Sequence, residues 1–444
     1  MPYNPEMENS TYKLSLIAKK ASVKPKLKFN ALMHLLDEQY LIECFKQLKK
    51  HKAPGIDNRT LESYSHKEMR QAIHNLAEDL KAGRYRPQPV RRTYVPKLNG
   101  KQRPLGIPTV MDKILQRAVA NILEPLFEPL FQDHSYGFRP KRSAHDAVKA
   151  LNHMVMQEKV NWIIDADIKG FFDHVNHDWL MKCLKERIND PNLLDLIARF
   201  LKAGVMEAGK LNQTNEGTPQ GGIVSPILAN IYLHYVLDLW FEIKDKKQLK
   251  GYAGMVRYAD DFVIGVQHES EARLLLQHLN DRLAKFDLEL AADKTRILEF
   301  GRYAKQNRQK RGQGKPETFD FLGFTHYCGV TKDGRYSLKV KTVSKKLTVA
   351  ITMQAKWLRS MRTNPLKDTW TTLAAKLIGH YNYYGVSGNF DSTKIYYEQT
   401  RALAYKWLNR RSQKRSWSWE KFDNFTKQHP LPKPEIKYAI YNTW

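Results

Sequence analysis

Between Asn161 and Ile168 the chain alternates, with Trp162, Ile164, Ala166 and Ile168 on one side and Ile163, Asp165 and Asp167 on the other. This is the period-two pattern of a strand. A second apolar run, Met255–Val266, encloses Tyr258-Ala-Asp-Asp261, which predicts two strands joined by a tight turn carrying adjacent carboxylates. Helical spacing dominates elsewhere. After a turn at Lys52–Asp57 it runs through Lys81, and Ile114, Ala118, Val119, Ile122 and Leu123 mark a helix over Val110–Leu123, with Pro125 as its stop. Ser143-Ala-His-Asp146 reads as a capping box ahead of Val148, Leu151 and Val155. Further helices are predicted from the Asp167 strand to about Lys202, over Pro226–Phe241 after a turn at Glu216–Gly222, and over Glu271–Lys285. Short strands are predicted over Thr295–Phe300 and Phe319–Tyr327. Arg84–Pro108 reads as a two-stranded ribbon turning at Asn99-Gly100. Val343–Trp444 is mostly helical and carries Trp357, Trp370, Trp407, Trp417, Trp419 and Trp444. A small antiparallel sheet backed by helices is an α+β arrangement.

Composition adds a partner. The 444 residues are 42% hydrophobic, enough for two or three folded domains, and 73 Lys and Arg against 46 Asp and Glu leave a net charge of +27. Such an excess points to a polyanion. A membrane fits less well than nucleic acid, because no run of 18 apolar residues exists and the N-terminal segment offers only Leu14–Ala18 among lysines. The cations are clustered in acid-free stretches. Lys13, Lys19, Lys20, Lys24, Lys26 and Lys28 form one. Arg302, Lys305, Arg308, Lys310, Arg311 and Lys315 form another, and Lys406, Arg410, Arg411, Lys414 and Arg415 a third. Cys44, Cys183 and Cys328 form no metal or disulfide spacing, so a reducing, cytoplasmic setting is expected.

Asp167 at a strand end and Asp260 with Asp261 on a hairpin turn are the donor set of a two-metal phosphoryl- or nucleotidyl-transfer site. Oxygen ligands suit Mg²⁺, with Mn²⁺ an alternative. Taken alone, the Asp-Asp pair also reads as a solvated turn, since Asp is a common turn residue.

The order of the motifs narrows the choice. Arg103-Pro-Leu-Gly-Ile-Pro108, Tyr136-Gly-Phe-Arg-Pro140, Asp165-Ala-Asp-Ile-Lys-Gly-Phe-Phe-Asp173, Gly217-Thr-Pro-Gln-Gly-Gly-Ile-Val-Ser-Pro226, Tyr258-Ala-Asp-Asp261 and Phe321-Leu-Gly-Phe324 follow in sequence. Together they resemble the blocks of the group II intron-encoded reverse transcriptases and maturases of bacterial type. The resemblance covers about Lys52 to Phe324 and continues more loosely to the C-terminus.

That resemblance implies a right-hand polymerase with a basic N-terminal arm (1–40), fingers (41–157), a palm with a small antiparallel sheet (158–327) and a helical thumb/maturase region (328–444). It implies two Mg²⁺ held by Asp167, Asp260 and Asp261, an RNA template, a DNA primer, dNTPs and intron RNA as partners, and no membrane. Asp165 is left outside the metal set. Lys97 and Arg103 flank the ribbon turn, and both suit triphosphate oxygens. Gln220 lies among glycines that let backbone approach an incoming nucleotide. Phe172 takes the position that packs beneath the sugar and excludes a 2′-OH, although Phe171 and Phe172 also read as core. Lys294 is either a proton donor to pyrophosphate or a solvated lysine. Phe321, Leu322 and Gly323 resemble a primer-gripping turn or form a core hairpin. Arg410, Arg411, Lys414 and Arg415, interleaved with aromatics, suit RNA backbone and unpaired bases. Many members carry a further zinc-linked endonuclease domain, for which this sequence has no Cys/His cluster. The expected activity is RNA-directed DNA polymerisation, together with intron RNA binding that aids splicing and mobility. The alternative is a domesticated reverse transcriptase in phage defence or DNA repair.

Overall fold

The computed structural model describes residues 10–96, 100, 102–207, 209–212, 216–218, 221–411 and 417–441. The chain opens with helices α1 (Ser10–Val23), α2 (Glu38–Lys46) and α3 (His66–Lys81), the last begun by a Ser65/Glu68 capping box. Strands β1 (Val90–Pro96) and β2 (Gln102–Ile107) pair antiparallel, and helices α4 (Val110–Phe127) and α5 (Ala144–Gln157) follow. The expected two-stranded ribbon is part of a four-stranded sheet, because the short strands Val205–Glu207 and Lys210–Asn212 extend it from the β1 edge. The expected stop at Pro125 is overrun, since α4 continues to Phe127. A proline in the last turn removes one backbone hydrogen bond, and burial of Leu126 and Phe127 offsets that loss. α1 packs along α4 with Ala21 buried.

Next come β3 (Trp162–Asp167), α6 (His177–Lys185), α7 (Pro191–Lys202), β4 (Val205–Glu207), β5 (Lys210–Asn212) and α8 (Ser225–Leu233). α8 runs on into two π-helical stretches, His234–Asp238 and Trp240–Asp245, where the sequence pattern shows only one continuous helix. β6 (Ala253–Tyr258) and β7 (Asp261–Val266) form the expected hairpin. α9 (Glu269–Ala284), β8 (Arg296–Glu299) and α10 (Ala304–Lys310) lead to β9 (Phe319–Phe321), β10 (Phe324–Val330) and β11 (Tyr336–Thr342). Helices α11 (Ser344–Ser360), α12 (Leu366–Tyr384), α13 (Phe390–Leu408) and α14 (Trp419–Gln428) close the chain. No helix among the described residues is long and apolar enough to cross a membrane.

Strands β6-β7-β3-β8 make one four-stranded antiparallel sheet. Its Ile164/Ala166/Ile168 face joins the largest core, shared with α4, α6, α8 and α9. The Ile163 face packs with Val256 and Val263 against α5 and the three-stranded sheet β11-β10-β9. Asp165 and Asp167 belong by alternation to that second face, toward the open end of β3. The C-terminal helices have their own core around Leu358, Leu373, Leu377, Tyr381 and Phe422.

Candidate active site

Strand register brings the three carboxylates together. Asp167 is the cross-strand partner of Asp261, and Asp261 pairs with Tyr258. Ala259 and Asp260 are therefore the two residues of the turn, and Ala259 takes φ 59°. Burial pushes the Asp261 carboxyl up to about 7, helped by the negative charges of Asp167, Asp165 and Asp260. Asp260 is raised by burial and by Asp167, while Arg103 and Lys294 oppose the rise. Neighbouring side chains bring positive charge to this cluster. Lys294 supplies part of it by donating from its ammonium to Asp167, and that contact raises the Lys294 pKa. Arg296 pairs with Asp165 at 3.2 Å, which gives that carboxylate a counter-ion of its own.

Among the described residues, no group of three or more Asp, Glu, His or Cys is arranged to hold a metal ion, and Asp167 is paired with Lys294. The donor chemistry nonetheless fits a divalent cation. All three side chains offer oxygen only, their mutual repulsion calls for a compensating charge, and a lysine ammonium already stands in for one on Asp167.

The turn is braced from behind by residues that the sequence analysis passed over. Arg257 and Asp238 are both fully buried and pair side-on, Nε donating to Oδ1 at 2.7 Å and Nη2 to Oδ2. Arg257 Nη1 donates to the Ala259 carbonyl at 2.9 Å and to Asn230 Oδ1 at 3.3 Å. Burial alone would raise the Asp238 carboxyl, but the Arg257 guanidinium and His134 hold it well below the usual carboxylate range. The signal was present in the sequence as charges inside apolar runs, Asp238 in Ile231–Phe241 and Arg257 in Met255–Val266. Gly137 lies against the same turn, and a Cβ there would stand 2.4 Å from the Ala259 nitrogen.

Phe171 is core, and Phe172 is half-buried and packs against the same core. A Cβ on Gly217 would meet the Phe172 carbonyl at 2.9 Å, and one on Gly221 the Gly106 carbonyl at 2.7 Å. Gly217 is thus pressed against the Phe172 turn and Gly221 against strand β2. Arg103 is exposed on β2, close enough to Asp260 to bias its carboxyl. Lys97, Gln220, Lys414 and Arg415 lie outside the described residues.

Leu322 and Gly323 are the central pair of the β9–β10 turn, with φ 50° and 86°, and Phe321 is buried. Both turn carbonyls are held by the C-terminal helical region, Leu322 by the Tyr383 hydroxyl at 2.7 Å and Gly323 by the Val343 nitrogen at 3.1 Å. Lys346 lies against Gly323, and its positive charge opposes the rise of the Asp261 carboxyl. Lys346 was not singled out from the sequence. Arg410 and Arg411 are exposed at the end of α13, Arg410 over the Trp407 ring and Arg411 donating to the Asn364 carbonyl at 2.6 Å.

With this geometry established, comparison with known proteins is direct. Residues 95–326 match the family model described as reverse transcriptase (RNA-dependent DNA polymerase). The chain belongs to the reverse transcriptase family, and its α+β architecture is a right-hand polymerase fold. Within that family it is 38% identical over 262 residues to the group II intron-encoded protein LtrA of Lactococcus lactis subsp. cremoris, covering 56% of this chain and 43% of that protein. It is 33% identical to protein YkfC of Escherichia coli K12, covering 62% of this chain and 81% of that one. A stretch of 95 residues, 21% of this chain and 13% of the relative, is 33% identical to nuclear intron maturase 1, mitochondrial, of Arabidopsis thaliana. The chain thus spans less than half the length of the intron-encoded relative it matches.

Proposed function

We propose that this chain is an RNA-directed DNA polymerase that extends a DNA primer on an RNA template, and that it also binds intron RNA as a maturase. The observation that carries the reading is the meeting of Asp167 with Asp260 and Asp261 at the end of β3 and the β6–β7 turn. On this reading those three residues hold two Mg²⁺ ions. When bound, the ions stabilise the attacking 3′-oxygen and the leaving pyrophosphate. Arg103, exposed on the ribbon, and Lys97 take the triphosphate. Lys294 keeps its proton at Nζ and delivers it to the leaving group once released from Asp167. Phe172 rejects the 2′-OH, Gln220 aligns the incoming nucleotide, and the Phe321–Gly323 turn holds the primer. Residues 1–40 form the arm, 41–157 the fingers, 158–327 the palm and 328–444 the thumb, where Arg410, Arg411, Lys414 and Arg415 contact RNA phosphates.

The test is primer extension on an RNA template with Mg²⁺ and dNTPs, comparing wild type with Asp260→Ala/Asp261→Ala. Template-dependent cDNA from the wild type alone is expected. No cDNA from either protein, with tight salt-sensitive RNA binding retained by both, would replace the polymerase reading with that of a dedicated RNA-folding maturase.

A further inference from the structure

Phe138 combines a left-handed backbone with an exposed aromatic ring. Its φ is 56°, a left-handed value that bulky residues rarely adopt, and its side chain is 54% exposed. It belongs to none of the four apolar cores. A strained backbone and an uncovered aromatic ring both cost stability, and such outliers collect where function over-determines them.

The residues around it supply that constraint. His134 and Tyr136 extend the β6 edge, the Arg257 nitrogen donating to the His134 carbonyl and the Tyr136 nitrogen to the Arg257 carbonyl, both at 2.8 Å. Asn230 Nδ2 donates to the Gly137 carbonyl at 2.7 Å. On the other side Arg139 is buried. Its Nη1 donates to the Gln132 carbonyl at 2.6 Å and the Ser135 carbonyl at 2.7 Å, and its Nη2 to Glu128 at 2.8 Å. Phe138 is fixed between these two braces, its ring 6.3 Å from that of Tyr258, the residue that opens the Ala259-Asp260 turn. The next left-handed residue in the same loop is Lys141, with φ 58°, also exposed.

We propose that Phe138 is a stacking residue, presenting its ring to a nucleobase of the primer–template at the catalytic turn. A rigid aromatic with a nearby cation, on a chain of net charge +27, is the combination that binds nucleic acid without reading its sequence, because every base offers a π-face. The inference rests on the polymerase reading above, which supplies the duplex at this turn.

The test measures affinity without catalysis. An RNA template annealed to a dideoxy-terminated DNA primer is titrated by fluorescence anisotropy with the full chain and with Phe138→Ala, Phe138→Trp and Phe138→Gly, and each protein is melted. Loss of one stacked base is expected to weaken binding by roughly 5- to 150-fold in Phe138→Ala, with Phe138→Trp restored to near wild type. Phe138→Gly should bind as poorly as Phe138→Ala yet melt no lower, because glycine takes a left-handed φ without penalty. A Kd for Phe138→Ala within about three-fold of wild type overturns the proposal. So does a Phe138→Gly protein that binds like wild type, a measurement that stands even if Phe138→Ala fails to fold. Wild type that binds the duplex but makes no cDNA would sink the polymerase reading and leave the stacking result intact. Wild type with no affinity for the duplex overturns both.

Discussion

Replacing Asp238 with Ala isolates the buried brace of the Asp260/Asp261 turn. Both Asp238 and Arg257 have no solvent exposure, so the variant leaves a guanidinium buried without its counter-ion and frees one partner of His134, which approaches Asp238 at 3.3 Å. Breaking a buried pair by removing one member costs about 3–5 kcal/mol, and a loss of that size is expected here. Replacing both members with apolar residues of similar volume, as in Asp238→Leu/Arg257→Met, removes the stranded charge and should recover most of that loss. Recovery of activity should not follow. The double variant also removes the Nη1 donor from the Ala259 carbonyl, so the turn loses its anchor while the fold regains its stability. Urea denaturation of the full chain gives the first comparison, and primer-extension kcat at saturating primer–template gives the second. A cost below about 1 kcal/mol for Asp238→Ala would refute the argument, as would a double variant no more stable than the single one. Full activity in a stable double variant would refute the anchoring half of it.

Three further outcomes are expected. Burial pushes His326 down to about 3 and His234 down to about 4 from 6.5. Below about pH 6.5 the unfolded chain therefore binds protons that the folded chain refuses, and stability falls as pH drops, by up to about 3 kcal/mol per pH unit between pH 6 and 4; urea midpoints that stay flat from pH 7 to 4 would rule this out. Tyr383→Phe removes the donor to the Leu322 carbonyl at a cost of about 1 kcal/mol, and it should raise the primer KM in extension assays, whereas an unchanged KM and melting temperature would show that the bond does not set the turn. Phe172→Ala should relax rejection of ribonucleotides in incorporation assays, and unchanged discrimination would remove Phe172 from that role.

Local pattern determined much of this protein. The alternation of Trp162–Ile168 and the Asp-Asp pair inside an apolar run place the carboxylates on a strand end and a hairpin turn, because side-chain direction in a strand follows directly from position. The Ser143 capping box and the strand pairing within Arg84–Pro108 were legible for the same reason, since caps and turns are chosen by neighbouring residues. The ion pairing of Asp165 with Arg296 and of Asp167 with Lys294 was not, because cross-strand register and loop return bring together residues more than a hundred positions apart. Nor was the role of Arg257. A charge in an apolar run signals a buried partner, but Asp238, Asn230 and the Ala259 carbonyl become its partners only once a π-helical segment packs behind the hairpin. Pro125 shows the converse, a local stop overridden by burial of Leu126 and Phe127. Sequence spacing set which chemistry the chain carries. Long-range packing decided which carboxylates are free to use it, because burial and charge neighbours exist only in the folded state.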